Sequence, residues 1–363
     1  MIAFLEDSPW ILPALGVLVG VVLGAVARWS NFCTLSSLER YWFADDAKGV
    51  RTWALAIAIS ILCTQALAFA GVIDLQDSFY LKPNISVIST LLGGAIFGLG
   101  MALVGTCGFG ALIRLGSGSL GSLVVTLVIG IVALATQRGF LNPLRETLYL
   151  KTQFSVSDTT SSIATLLPKA ITDLAEAETI QFGMACIVVA VLLAYCLSSK
   201  PFRRNKKYPI AGFTIGLMIT LGWLITTQLR KIMFHEVQVE SASFVLPPGE
   251  LMNVITSNSV ADYGVGLVIG VVLGAAMVAK FTDSVHWEAC DDPRELRRHL
   301  SGAVLMGIGG VMASGCTIGQ GVSAASTLSI TAPIALLGVA IGARVGLVYL
   351  LEGSVLPQRF RRE

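Results

Sequence analysis

Charge is scarce in this sequence. Only 13% of its 363 residues are Asp, Glu, Lys or Arg, where a soluble chain carries about 25%, and mean hydropathy is +0.76. The deficit excludes a soluble globular domain and indicates an integral membrane protein. Histidine is scarcer still: His235, His286 and His299 all fall in expected loops and read as solvated side chains. No CxxC occurs and no Cys/His pair has zinc spacing, so the 7 cysteines indicate neither a redox pair nor a metal site, and no cofactor is expected. No basic patch is interleaved with aromatics, and a net charge of +2 makes no case for nucleic acid. No Asp or Glu pair lies inside an apolar segment to suggest a proton relay. The opening residues MIAFLEDSP hold no Lys or Arg, whereas a signal peptide carries positive charge ahead of its apolar run. The first apolar segment is therefore expected to stay in the protein as a span.

What the chain does have is long apolar sequence, with hydrophobic residues at 54%. A bilayer-spanning helix needs about 20 such residues. That template predicts nine spans, at about 10–29, 51–73, 87–104, 119–136, 181–198, 208–227, 261–280, 301–313 and 331–351. Of the 25 Lys and Arg residues, 17 fall on the side that holds the C-terminus and 7 on the other, with Arg344 inside the last span. Cytoplasmic loops collect Lys and Arg, so the N-terminus is expected outside and the C-terminus in the cytoplasm. The outer connectors, 137–180 and 228–260, show no soluble domain. The first is rich in Ser and Thr around 155–162, and near 163–177 it either forms a short amphipathic helix or is mobile.

Two glycine-rich breaks interrupt this apolar background. GLGMALVGTCGFGALIRLGSGS (98–119) is echoed by GIGGVMASGCTIGQGVSAASTL (307–328). At a constant offset of 209, Gly93, Gly98, Gly100, Cys107 and Gly110 match Gly302, Gly307, Gly309, Cys316 and Gly319. A Pro-x-x-Gly-x-x-x-Gly pattern at 13–20 and again at 209–216 pairs span 1 with span 6. Spans 1–4 then map onto spans 6–9, and span 5 connects them. Five spans is an odd number, so the second half is expected to be inverted. The predicted fold is an all-α integral membrane domain covering 1–363. Its nine or so transmembrane helices form two inverted-topology repeats, about 10–136 and 208–351, joined by a connector at 137–207, with broken or re-entrant helices at the Gly-Cys motifs. A rival match, GVVLGA at 20–25 and 270–275, would make the repeat parallel, but it needs a 41-residue gap and reads as chance similarity. Gly94, Gly98, Gly266, Gly270 and Gly274 fall at four-residue steps, a ridge for close helix packing rather than chemistry.

Irregular backbone at membrane depth survives only where it is buried in protein or lines a cavity. The two breaks are therefore expected to meet near the midplane, Cys107 entering from the cytoplasmic side and Cys316 from the outside. A third cysteine, Cys33, sits in the polar stretch RWSNFCT after span 1, near the cytoplasmic face. Cys63, Cys186 and Cys196 lie in uninterrupted apolar helix and Cys290 in an acidic loop, where a free cysteine is a small buried hydrophobe or a bystander. Half-helices starting after each break would aim free N–H groups inward, which suits an anion. A thiol adds a weak S–H donor and a polarizable sulfur. The spans offer few fixed cations, Arg114 near the first break and Arg344 in span 9, both read as snorkelling or helix-end residues. An anion with a soft sulfur end fits this lining better than sulfate does. The thiols must stay neutral to serve it, since a thiolate would repel the ion.

Together the motifs RWSNFC (28–33), GAIFGLGMALVGTCGFG (94–110) and GIGGVMASGCTIGQG (307–321) resemble the YeeE/YedE family of sulfur-compound membrane transporters. The resemblance covers nearly the whole chain. One departure is Thr106, which stands where the second copy has glycine before its cysteine. The resemblance implies uptake of thiosulfate or a related sulfur-containing anion across a bacterial inner membrane, relayed by the thiols of Cys316, Cys107 and Cys33 in that order. Gly108, Gly110, Thr317, Gly319 and Gln320, which flank two of these thiols, complete the expected substrate path. The resemblance also implies a small cytoplasmic sulfurtransferase as a partner and no enzymatic activity. Other sulfur or selenium species remain alternative cargoes. A membrane thiol oxidoreductase is the rival class, but it calls for paired cysteines on one side of the membrane.

Overall fold

A computed structural model describes residues 10–155, 162, 177–233, 237–257, 260–288 and 292–352. Residues 1–9, the Ser/Thr run 156–161, nearly all of the helix expected at 163–177, His235, Cys290 and the C-terminal arginines lie outside the described residues. The described residues are mostly helical, with one antiparallel pair of two-residue strands among them, β1 (Asn84–Ile85) and β2 (Phe154–Ser155). In chain order the helices of the first half are α1 (Ile11–Ser30), α2 (Thr34–Phe43), α3 (Lys48–Phe69), α4 (Val87–Val104), α5 (Gly108–Gly116), α6 (Leu120–Gln137) and α7 (Asn142–Thr152). Next come α8 (Ala177–Leu197), α9 (Lys200–Arg204), α10 (Lys207–Ile232), α11 (Pro247–Ser257), α12 (Tyr263–Phe281), α13 (Pro293–Met312) and α14 (Thr331–Glu352). A short helix with a π-helical middle, Gly319–Ala324, lies between α13 and α14.

Among the described residues eight segments are long and apolar enough to cross a membrane, and two of them, Ile11–Phe43 and Val87–Gly116, contain a break. The count differs from the nine expected because of α13. That helix is 20 residues long, but its first half carries Arg294, Glu295, Arg297, Arg298 and His299. In its second half Gly302, Ala303, Met306, Gly307, Gly309, Gly310 and Val311 are buried against α4 and α6, while Val304 is exposed. A helix face packed on other helices does not meet lipid, so it needs no continuous apolar surface. The opposite case is α8, where only 17% of the most apolar window is buried. It lies at the periphery against α3, as a connector would.

Glycine sets how closely the central helices approach. α1 and α12 share the longest seam, and α4 packs along α14 in a second one. A Cβ added at Gly20 would lie 2.9 Å from the Gly270 Cα. Gly16, Gly24, Gly266 and Gly274 likewise face partner backbone across the α1–α12 seam, and Gly94, Gly98, Gly338 and Gly342 across the other. Lipid offers helices no hydrophobic drive to associate, so such close backbone contact holds them together. The matched GVVLGA stretches now have a physical cause. They belong to α1 and α12, and each forms one wall of the same seam. Away from the seams the helices present exposed apolar side chains, among them Leu18, Leu127, Ile131, Ile187, Leu273 and Ile341, which is the surface a bilayer solvates.

Candidate functional site

Three breaks in the helical backbone each carry a cysteine. The first comes after α1, where Asn31 adopts a left-handed conformation (φ 55°) and Cys33 is extended just before α2. The second comes after α4. Gly105 takes φ 80°, a value reached cheaply only without a side chain, and Cys107 precedes α5. The third comes after α13. Ser314 (φ 59°) and Gly315 (φ 155°) turn the chain so that Cys316 starts the short π-containing helix.

The sulfurs sit where a helix cap would. Gly110 N–H donates to Cys107 Sγ at 3.4 Å, and Gly319 N–H donates to Cys316 Sγ at 3.3 Å. Sulfur thus takes the acceptor position that Ser or Asp oxygen usually fills at a helix start. Its lone pairs face the helix, which leaves the S–H as a donor for something else.

Thr34 joins the breaks. Its hydroxyl lies 3.1 Å from Thr317 Oγ1 and 3.8 Å from Cys107 Sγ, and Cys33 Sγ lies 3.9 Å from Thr106 Oγ1. The Cys33 and Cys107 thiols face one another. Cys107 and Cys316 are buried and Cys33 partly so. Phe32 stacks on Trp53 at 4.7 Å between centroids, and this fixes the first break.

Cavities reach this centre from both ends of the bundle. One, of about 470 Å³, is lined by Tyr80, Lys82, Arg145, Ser314, Gln320 and Thr331. A smaller neighbour shares Tyr80, Arg145 and Ser314 and adds Glu240, Ser243 and Gly315. The other large cavity, of about 690 Å³, is lined by Arg28, Thr106, Arg114, Ser119, His286 and His299 among others. These spaces open on opposite sides of the molecule. The N-terminal half of α13 lines one with Glu295 and His299, and its C-terminal end lines the others with Val311 and Met312. Twenty helical residues span about 30 Å. α4 and α6 also run from one side to the other. One set of cavities stops at Ser314 and Gly315, next to Cys316, and the opposite one at Thr106, next to Cys107.

The chain from residue 29 to 345 matches the Sulphur transport family. It belongs to that family. It is also similar to two proteins named thiosulfate transporter TsuA. The one from Escherichia coli K12 is 25% identical over 320 residues, covering 84% of this chain and 85% of the relative. The one from Spirochaeta thermophila is 24% identical over 336 residues, covering 88% and 93%. A multi-pass membrane protein of a sulphur-transporting family is therefore established.

The other site residues expected from sequence fall into two groups in this family member. Gly108 and Gly319 are close-approach positions: an added Cβ would lie 2.9 Å from Phe244 O at Gly108, and 3.0 Å from the Tyr80 hydroxyl at Gly319. At Gly110 it would collide with Thr106 Oγ1. Thr317 lies at the junction with Thr34. Gln320 lines the cavity of about 470 Å³ and also makes three hydrogen bonds around the third break. Its amide donates to Ala313 O (2.7 Å) and Ser314 O (3.1 Å), and its carbonyl accepts from Thr331 (3.4 Å). It clamps the turn before Cys316, so it positions the break. Arg344 lies over the Trp42 ring at 5.3 Å, away from the thiols.

Sequence reasoning passes over Thr34, Tyr80 and the stretch 237–246. Val237, Val239, Ala242, Phe244 and Val245 are buried inside the bundle. Phe244 packs on Phe109 at 4.7 Å, and Ser323 donates to Ala242 O at 2.8 Å. This stretch lies at the centre, beside α5 and the short helix after Cys316. Its one sequence signal is a mixed apolar and polar composition, VQVESASFVL, directly before Pro247-Pro248.

Proposed function

We propose that this protein takes up thiosulfate, or a related sulfur-containing anion, by passing it between the thiols of Cys316, Cys107 and Cys33. The observation that carries this reading is the meeting of three cysteine-bearing breaks at Thr34, between cavities that open on opposite sides. The names of the two relatives support the choice of thiosulfate. Chemistry supports it too. A dianion in a low-dielectric interior is costly unless donors replace its water, and several weak sites in series bind without trapping. The sulfurs of Cys107 and Cys316 already accept a helix N–H, so their S–H groups are available to a soft anion.

The same reading includes an inverted repeat, about 10–136 and 208–351, within one transmembrane domain. The packing pairs are consistent with a two-fold axis: α1 with α12 answers α10 with α3, α4 with α14 answers α13 with α6, and α4 with α13 pairs across the axis. It further includes a bacterial inner-membrane location with N-terminus outside and C-terminus inside, supported by the 17-to-7 split of Lys and Arg. The absence of enzymatic activity and a small cytoplasmic sulfurtransferase as acceptor belong to it as well, and the partner rests on the family resemblance alone. Growth of a sulfur-auxotrophic bacterium on thiosulfate as sole sulfur source, with and without this protein, tests the whole. Growth only with the protein is expected, and equal growth without it would remove the proposed function.

A further inference from the structure

We propose that the cavity beyond Thr106 is a separate oxyanion-binding site, in which Arg28 and Arg114 hold the ion after it leaves the thiols. Three positive features converge there. Arg28 is fixed through Nη2 to Ser284, at 2.9 Å to Oγ and 3.4 Å to the carbonyl. Arg114 is fixed through Nη2 to Gly105 O at 3.0 Å. Among the described residues only those single nitrogens are engaged, so each guanidinium keeps further N–H donors for a ligand. The third feature is the start of α6, whose Ser119, Gly121 and Ser122 line the same cavity. An 18-residue helix directs its positive end there, although its Leu120 and Ser122 N–H groups are already bonded to Glu288 O and Ser119.

Two acidic residues, Glu288 and Glu295, line the same cavity. Glu295 is occupied by His299 at 3.6 Å and Arg298 at 3.9 Å. Glu288 joins the wall through its backbone, donating to Gly118 O and accepting from Leu120 N–H. The cavity is also in the right place. Thr106 lines it and lies 3.9 Å from Cys33 Sγ. At about 690 Å³ it holds a small tetrahedral anion with much of its water. Guanidinium forks recognise the oxygens of such an ion rather than its sulfur. The site should therefore take sulfate as readily as thiosulfate, unlike the thiols. This deepens the transport reading above and rests on it for the ion's route, though not for the binding itself.

The test is equilibrium binding of sulfate and thiosulfate to the purified full chain in lipid nanodiscs, where both faces are open. The background carries Cys33→Ala, Cys107→Ala and Cys316→Ala together. That protein should bind both anions, and less tightly as salt is raised. Adding Arg28→Gln and Arg114→Gln should weaken both by about tenfold or more, because charge-assisted bonds are lost. Arg114→Lys should restore part of the affinity. The triple-Ala protein binding neither anion, or binding that ignores both arginine changes, would overturn the site. If the double-Gln protein melts early, single Arg114→Gln and Arg114→Lys variants decide: equal affinity in the two overturns it. Sulfate binding through the arginines without any thiosulfate uptake would sink the transport reading and leave the site standing.

Discussion

Replacing Cys107 by Ser separates stability from transport, and the geometry says in which direction each should move. Cys107 Sγ is buried and accepts Gly110 N–H at 3.4 Å, as the cap of α5. Serine is a preferred cap, and losing a good cap costs about 0.5–2 kcal/mol. Cys107→Ser should therefore fold at least as well as the parent, while Cys107→Ala, which deletes the acceptor, should lose about 1 kcal/mol. Transport should fall in both. If the missing soft donor adds about 2.7 kcal/mol to the barrier, passage slows roughly a hundredfold. The assay is uptake of sulfur-labelled thiosulfate into proteoliposomes, beside thermal unfolding of the same preparations. The same contrast should hold at Cys316, whose sulfur accepts Gly319 N–H. Ser at Cys63 or Cys186, in helix and away from the centre, should leave uptake near normal. Ser variants at Cys107 and Cys316 that transport at parental rates would refute the argument, because oxygen would then serve as well as sulfur.

Thr34→Val keeps shape but removes the hydroxyl that meets Thr317 and Cys107; it should cost about 1 kcal/mol per lost hydrogen bond and slow uptake, and parental uptake would show that Thr34 is only a spacer. Gly20→Leu drives a side chain into Gly270 backbone and should cost about 1–3 kcal/mol, read as a lowered unfolding temperature; an unchanged temperature would mean that the seam can open freely. Burial, with Glu250 and Asp262 nearby, raises the Glu240 carboxyl to about 8. The groups around it are Glu250 from α11, Asp262 and Tyr263 at the start of α12, and Tyr80, with Arg138 acting on Glu250. Below that pH Glu240 is neutral, and above it a negative wall faces the cavity next to Cys316, so uptake should fall as pH rises through about 8. Glu240→Gln should flatten that fall, and an identical fall in the variant would exclude Glu240 as its cause. A cysteine introduced near Lys206 should resist membrane-impermeant reagents in intact cells; labelling from outside would reverse the proposed orientation.

The spans are legible because lipid imposes one simple demand, about 20 apolar residues in a row. The α4 span, 87–104, agrees at both ends, and α6 and α14 agree within a residue. α13 reads as short because half of it is charged. Its apolar half is short and packs through Gly302, Met306, Gly307 and Gly310 on neighbouring helices, so the run never reaches the length that the template demands. α7 escapes the same reading for the related reason that it is polar and lies at the surface, with no buried residue. The GVVLGA match misleads when sequence similarity is weighed only as evidence of a repeat. Two helices that pack through glycine need the same small residues, whether or not they descend from one another.

The candidate site is legible only where the backbone itself is unusual. Glycine before or after a cysteine marks a turn, and those turns are real at Gly105 and Gly315. What joins the turns is carried by ordinary residues. Thr34 is one threonine among many, and its importance lies in a partner 283 positions away. Phe244 belongs to a stretch with no helical period, held by Phe109 from the other half of the chain. Such contacts have no local signature, because nothing in 237–246 requires it to turn inward until α10, α12 and the short helix after Cys316 are in place. The division has a physical cause: local sequence encodes where a helix must stop, and tertiary packing decides which stops come together. A path across the membrane needs both. Stops without packing would leave polar backbone in lipid, and packing without stops would leave no irregular backbone for an anion to meet. The three cysteines occur where the two requirements coincide, which is why they can be singled out from sequence while the groups that hold them cannot.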